Sequence, residues 1–178
     1  MAETVSVISE RGSYHEFLRD FEETIRGATT RLQEISDEDS AKNTGDEWSA
    51  KQILGHLIDS AANNHQRFVR GQFTDTLDFP GYEQEQWVSA QKYNDESWPA
   101  VIELWRAYNM HLLHVVSVIP QEVLTQQRDK HSLKQIAFKT VERNQPATLE
   151  YLIRDYLDHL KHHLDQIWRR SWHTPTNN

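Results

Sequence analysis

The chain has 178 residues, 37% of them hydrophobic and 26% charged, a balance that suits one soluble globular domain with a real core. Nineteen basic residues against twenty-seven acidic ones leave a formal net charge of -8, which repels a phosphate backbone and speaks against nucleic acid as a partner. With no cysteine there is no disulfide, zinc ribbon, cysteine-ligated cluster or thiol nucleophile, so histidine and carboxylate remain as the strong metal ligands.

No apolar run approaches the roughly 20 residues of a membrane span, so no membrane partner is expected. The polar opening MAETVSVISERGS lacks the basic start and apolar core of a signal peptide, and a cytoplasmic protein is expected.

Four helical stretches follow one another. Ser13 with Glu16 reads as a capping box opening a helix to about Ser36, with Phe17, Phe21, Ile25, Ala28 and Leu32 as its inner face. Ser49 with Gln52 repeats that signal for a second helix to about Val69, with Trp48 placed to staple its entry and Gly71 marking its end. Pro99 suits the first turn of a third, which Leu104, Tyr108, Leu112, Val115 and Ile119 continue to Pro120. Pro146 and Thr148 open the fourth, ending near Trp172. The expected fold is all-α: a four-helix bundle with long connections, one domain over residues 1–178 with its core at about 14–172.

Two connections exceed the usual length. Phe73 to Asn94 holds Phe79, Pro80, Tyr82 and Trp87, a composition that packs, and it is placed to roof a pocket with Tyr82 and Trp87. Gln121 to Gln145 contains the weakly apolar piece LKQIAF, which fits a short helix, a strand or an irregular excursion.

Histidines carry the functional signal. His159 and His163 stand four residues apart in DYLDHLKHHLDQIW, so both imidazoles lie about one turn apart on one helical face and can reach one ion. Leu149, Ile153, Tyr156, Leu160 and Ile167 define the core stripe of that helix; His163 and His159 fall at its margin, whereas His162 points away by about 100° and reads as solvated. A third candidate, His56 in WSAKQILGHLIDS, heads a polar row with Ser60, Asn63 and Arg67 beside the inward face of Ile53, Leu57, Ala61 and Phe68. A single histidine at a core margin is ordinarily a hydrogen-bonded one, and His111 at the edge of the third helix is of that kind or a further approach to the same space.

Supporting roles fall to neighbours. Asp155 precedes His159 by one turn and either orients its free nitrogen or is an exposed helical carboxylate; Asp59 stands similarly to His56. Tyr82, Asn63 and Arg67 are the candidate catalytic or substrate-binding residues, Arg67 either gripping a carboxylate or pairing with a nearby acid. No nucleophilic triad, phosphate loop or paired-carboxylate motif is present.

Three segments in order, WSAKQILGHLIDSAANNHQRF, FPGYEQEQWV and HLKHHLDQI, resemble the DinB-like helical bundles, a family with YfiT-type metal-dependent hydrolases and bacillithiol transferase relatives; the likeness runs from about Tyr14 to Trp168. The resemblance implies three histidine ligands at His56, His159 and His163, the same three that the helical wheel selects. It also implies a divalent ion, zinc or nickel, and either hydrolysis or transfer of a low-molecular-weight thiol supplied from outside, on a small-molecule substrate. An open coordination position is what argues for an enzyme. The alternatives are a noncatalytic metal- or ligand-binding bundle and a metal-free helical interaction module, with homodimerisation left open.

Overall fold

The computed structural model describes residues 2–43, 45 and 47–170, with side chains from Tyr14 onward. Four long helices dominate: α1 (Ala2–Gln33), α3 (Ala50–Arg70), α5 (Trp98–Ser117) and α8 (Leu149–Trp168). Between them lie the short α2 (Asp37–Ser40), α4 (Gln84–Gln91), α6 (Gln121–Thr125) and α7 (Leu133–Ile136), with a 3-10 turn at Tyr93–Asp95. Among the described residues there is no strand; isolated bridges join Leu77 to His131 and Arg128 to Ala147. No helix among them is long and apolar enough to cross a membrane.

The helix starts follow from the caps. Ser49 accepts from the Gln52 amide while the Gln52 side chain accepts from the Ser49 amide, a closed capping box, and Thr148 accepts from the Tyr151 amide. Pro99 sits in the first turn of α5. The capping-box start expected at Ser13 is overruled, since α1 is already helical from Ala2; the Ser13 side chain lies outside the described residues, as does Trp172.

The predicted inner faces of α1, α3 and α8 are buried, from Phe17 through Leu32, Ile53 through Phe68 and Leu149 through Ile167. In α5 the face is rotated. Leu104 is 51% exposed, while Trp105 and Asn109 are fully buried, because Asn109 accepts the Tyr156 hydroxyl at 2.6 Å across the bundle. A buried asparagine satisfied from another helix looks like a surface residue in sequence.

Both long connections are structured. Leu77 and Ser132 join them: the Leu77 amide donates to the Lys130 carbonyl at 2.9 Å, the Ser132 amide donates to the Leu77 carbonyl at 3.1 Å, and the Phe79 amide donates to the Ser132 hydroxyl at 2.8 Å. LKQIAF resolves as the short helix α7 followed by extended chain.

Candidate metal centre

α3 and α8 pack against one another, and their apolar stripes bring the polar margins of both helices to one place. His56 from α3 and His159 from α8 place their Nε2 atoms 3.2 Å apart. His163, one turn after His159, has its ring centroid 4.6 Å from that of His56 and 4.5 Å from that of His159. Each imidazole offers one nitrogen such that all three lie within 4.8 Å of one another. His56 is fully buried, and the Trp48 ring packs on it with centroids 5.4 Å apart.

The donor set fits a divalent ion. Two nitrogens each about 2.0–2.1 Å from a tetrahedral ion stand roughly 3.3 Å apart, close to the spacing seen. Burial, then the neighbouring His163, pushes His56 down to about 3, and burial, followed by His163, His56, His162 and Arg67, pushes His159 down to about 2. Burial also lowers His163, against an opposing pull from Gln166. The trio is therefore neutral at pH 7, the form in which imidazole ligates.

Gln166 orients one ring. Its Oε1 lies 2.9 Å from His163 Nδ1 and its Nε2 lies 3.2 Å from His162 Nε2. An amide that donates to His162 and accepts from His163 leaves the His163 proton on Nδ1 and a lone pair on Nε2. His159 Nδ1 faces the Ser60 hydroxyl at 3.5 Å. His56 Nδ1 is buried without a partner among the described residues.

A cavity of about 290 Å³ opens beside the histidines, with walls that include Ser60, Asn64 and Arg67 of α3, Tyr82 of the first long connection, Gln135–Phe138 of the second, and Asp155, His159, His162 and His163 of α8. Arg67 and Tyr82 thus line it as the sequence suggests. Asn63 does not; its amide donates to the Asp59 carbonyl at 2.9 Å, and Asn64 holds the wall position instead. The reason is helical register: the cavity lies on the Ser60 and Asn64 side of His56, whereas Asn63 turns to the opposite edge.

Neither aspartate orients a histidine. Asp59 Oδ1 accepts from Gln91 at 2.6 Å and from the Tyr93 hydroxyl at 2.8 Å. Asp155 is buried and accepts from the Phe138 and Lys139 amides at 2.8 and 2.6 Å. These bonds lay the Phe138 ring 5.6 Å from His159 and 5.1 Å from His162. Sequence reasoning missed this wall, and the one available clue was an acid one turn before a candidate ligand.

Of the expected roof pair, Trp87 packs against Tyr82 with centroids 5.0 Å apart but is 40% exposed and is not a wall residue. His162 is exposed, yet it stands at the cavity rim rather than apart from it. His111 lies elsewhere, its ring 5.2 Å from His65 on the α3–α5 side.

A family model described as the DinB superfamily matches residues 20–167. The chain belongs to the DinB superfamily. Among solved structures it is similar to YfiT from Bacillus subtilis, described as a probable metal-dependent hydrolase with an unusual four-helix bundle topology. The TM-score is 0.70, with 86% of this chain and 83% of that one covered at 17% identity. At that identity the likeness is one of fold. No curated protein matches the chain.

Proposed function

We propose that this chain is a divalent-metal-dependent hydrolase of small molecules, with His56, His159 and His163 as the ligands of an open site. The observation that carries the reading is the convergence of three neutral imidazoles, two of which, His159 and His163, stand in the wall of a cavity with room for a ligand while His56 is buried behind them. YfiT, described as a probable metal-dependent hydrolase, supports it by its fold. A three-imidazole set suits zinc or nickel.

When bound, such an ion would supply Lewis acidity toward a water, a thiol or a substrate carbonyl. The remaining work falls to this chain's own groups. Tyr82 is held protonated well above neutral pH by burial first and then by the charge of Asp59, so its hydroxyl is available to donate to a substrate oxygen. Phe138 and Ile136 exclude water from one side, and Gln166 fixes the His163 ring. The cavity volume lies at the lower end for ligand sites and selects small substrates. A thiol transferase would use the same ligands and, because the chain has no cysteine, would draw its thiol from solution.

The test is metal analysis of protein purified without a histidine tag, followed by ester, amide and thiol-transfer assays before and after chelation. Near-stoichiometric metal together with metal-restored hydrolysis is the expected result. Metal-independent turnover, or metal retained in the His56→Ala, His159→Ala double variant, overturns the reading. Tyr82→Phe should keep metal and fold while lowering turnover.

A further inference from the structure

Arg67 is 5% exposed and lines the cavity, yet among the described residues no carboxylate pairs with it. Its Nη1 donates to Asn64 Oδ1 at 3.3 Å and its Nη2 to the Pro80 carbonyl at 3.1 Å, which uses two of the five N–H groups of a guanidinium. The other buried cations are satisfied differently. Arg128 donates to the carbonyls of Thr74, Val123, Gln126 and Gly71, and Lys51 pairs with Asp37 at 3.1 Å while donating to the Glu96 carbonyl. Those two are fastenings of the fold. Arg67 is a buried charge with donors left over, facing space, and a desolvated cation without a counterion is costly unless something supplies one.

Position narrows what that something is. Ser60 faces His159, Asn64 lies one turn further along α3, and the Arg67 side chain reaches back to Asn64. The guanidinium therefore stands about one helical turn, roughly 5 Å, from the histidine end of the same cavity. One planar fork with one positive charge matches a carboxylate better than a phosphate dianion, which calls for more than one cation.

We propose that Arg67 receives the carboxylate of the substrate, so that the substrate class is a small carboxylic acid whose reacting group lies roughly 5 Å from that carboxylate. The reacting end rests on the metal-site reading above; the carboxylate end stands on Arg67 alone.

The probes are succinic acid monohydroxamate and its methyl ester, titrated calorimetrically into zinc-loaded wild type, Arg67→Gln and Arg67→Lys. Butyrate and butyramide are titrated into the metal-free proteins and followed by NMR shifts. Zinc-loaded wild type should bind the acid at least about tenfold tighter than the ester, as loss of one charge-assisted pair implies. Arg67→Gln should bring the two within about twofold with zinc stoichiometry and ester affinity unchanged, and Arg67→Lys should recover only part of the preference, having the charge without the fork.

Wild type that does not distinguish acid from ester overturns the proposal, and it does so even if the Arg67 variants fail to fold. Discrimination that survives in Arg67→Gln also overturns it, and phosphate displacing butyrate at equal concentration overturns the carboxylate assignment. If zinc does not bind but butyrate is preferred over butyramide through Arg67, the metal reading falls and this one stands. Zinc on the histidines without acid preference gives the reverse.

Discussion

The Asp155 carboxylate accepts the Phe138 amide at 2.8 Å, so the helix that carries His159 also anchors the backbone of the residue whose ring lies 5.6 Å from that histidine. Asp155→Ala frees two backbone amides at once and should destabilise the fold by about 2 kcal/mol, measured by urea unfolding. Asp155→Asn, which keeps one acceptor, should cost less. Metal stoichiometry should survive both, since neither variant touches an imidazole; loss of metal in Asp155→Asn would mean that the carboxylate acts on the ligands directly.

His162 and His163 are adjacent in sequence but unequal in the site. His163→Ala should remove most bound metal, whereas His162→Ala should leave stoichiometry nearly unchanged, read by elemental analysis. Gln166→Leu should lower affinity by about tenfold, the low end of what outer partners of metal-bound histidines contribute, because Gln166 is half-buried and water can replace part of its hydrogen bond.

Acid should destabilise the metal-free protein in a defined window. His56 and His159 have folded values near 3 and 2 against an ordinary 6.5, so between those limits the unfolded chain binds protons that the folded chain refuses. Their neutral burial costs nothing by this route above about pH 6.5, and stability falls as pH drops below it, by up to about 1.4 kcal/mol per pH unit for each imidazole. Chelator-treated wild type and His159→Ala, unfolded in urea from pH 7 to pH 4.5, should differ in slope by about one proton. Parallel slopes would show that His159 takes up its proton without unfolding.

Gly55 admits no side chain. A Cβ there would stand 2.1 Å from the Tyr93 ring, whose hydroxyl donates to Asp59. Gly55→Ala should cost about 1–3 kcal/mol by overpacking, despite the better helix propensity of alanine. A thermal melt at or above wild type would show that Tyr93 has somewhere to go.

The sequence made α3 and α8 legible because caps and apolar period agree there: Ser49 and Thr148 start them, and their stripes are unbroken. The same regularity put His56, His159 and His163 at the margins of their helices, while that the three meet was implied by the resemblance to the DinB-like bundles and not by helical period. What escaped depended on partners far along the chain. Asn109 is inside because of Tyr156, Asp155 is occupied by Phe138 and Lys139, and Asp59 by Gln91 and Tyr93. A polar residue's destination is set by what hydrogen-bonds it, and period carries no record of that. Asn63 and Asn64 show the limit of a helical wheel, since adjacent asparagines differ by about 100° and only the packed structure says on which side the cavity opens.

The join between Leu77 and Ser132 bears on how the cavity admits anything. Because the segment carrying Tyr82 is bonded to the segment leading to Phe138, and the latter is tied again to α8 through Asp155, neither roof piece is a separate flap. Hinged opening would have to break several backbone hydrogen bonds in concert, a far slower event than side-chain motion. Traffic is left to the rim, where the exposed His162 and the 42% exposed Phe138 stand, so selection by size falls to a doorway whose frame is held by backbone hydrogen bonds.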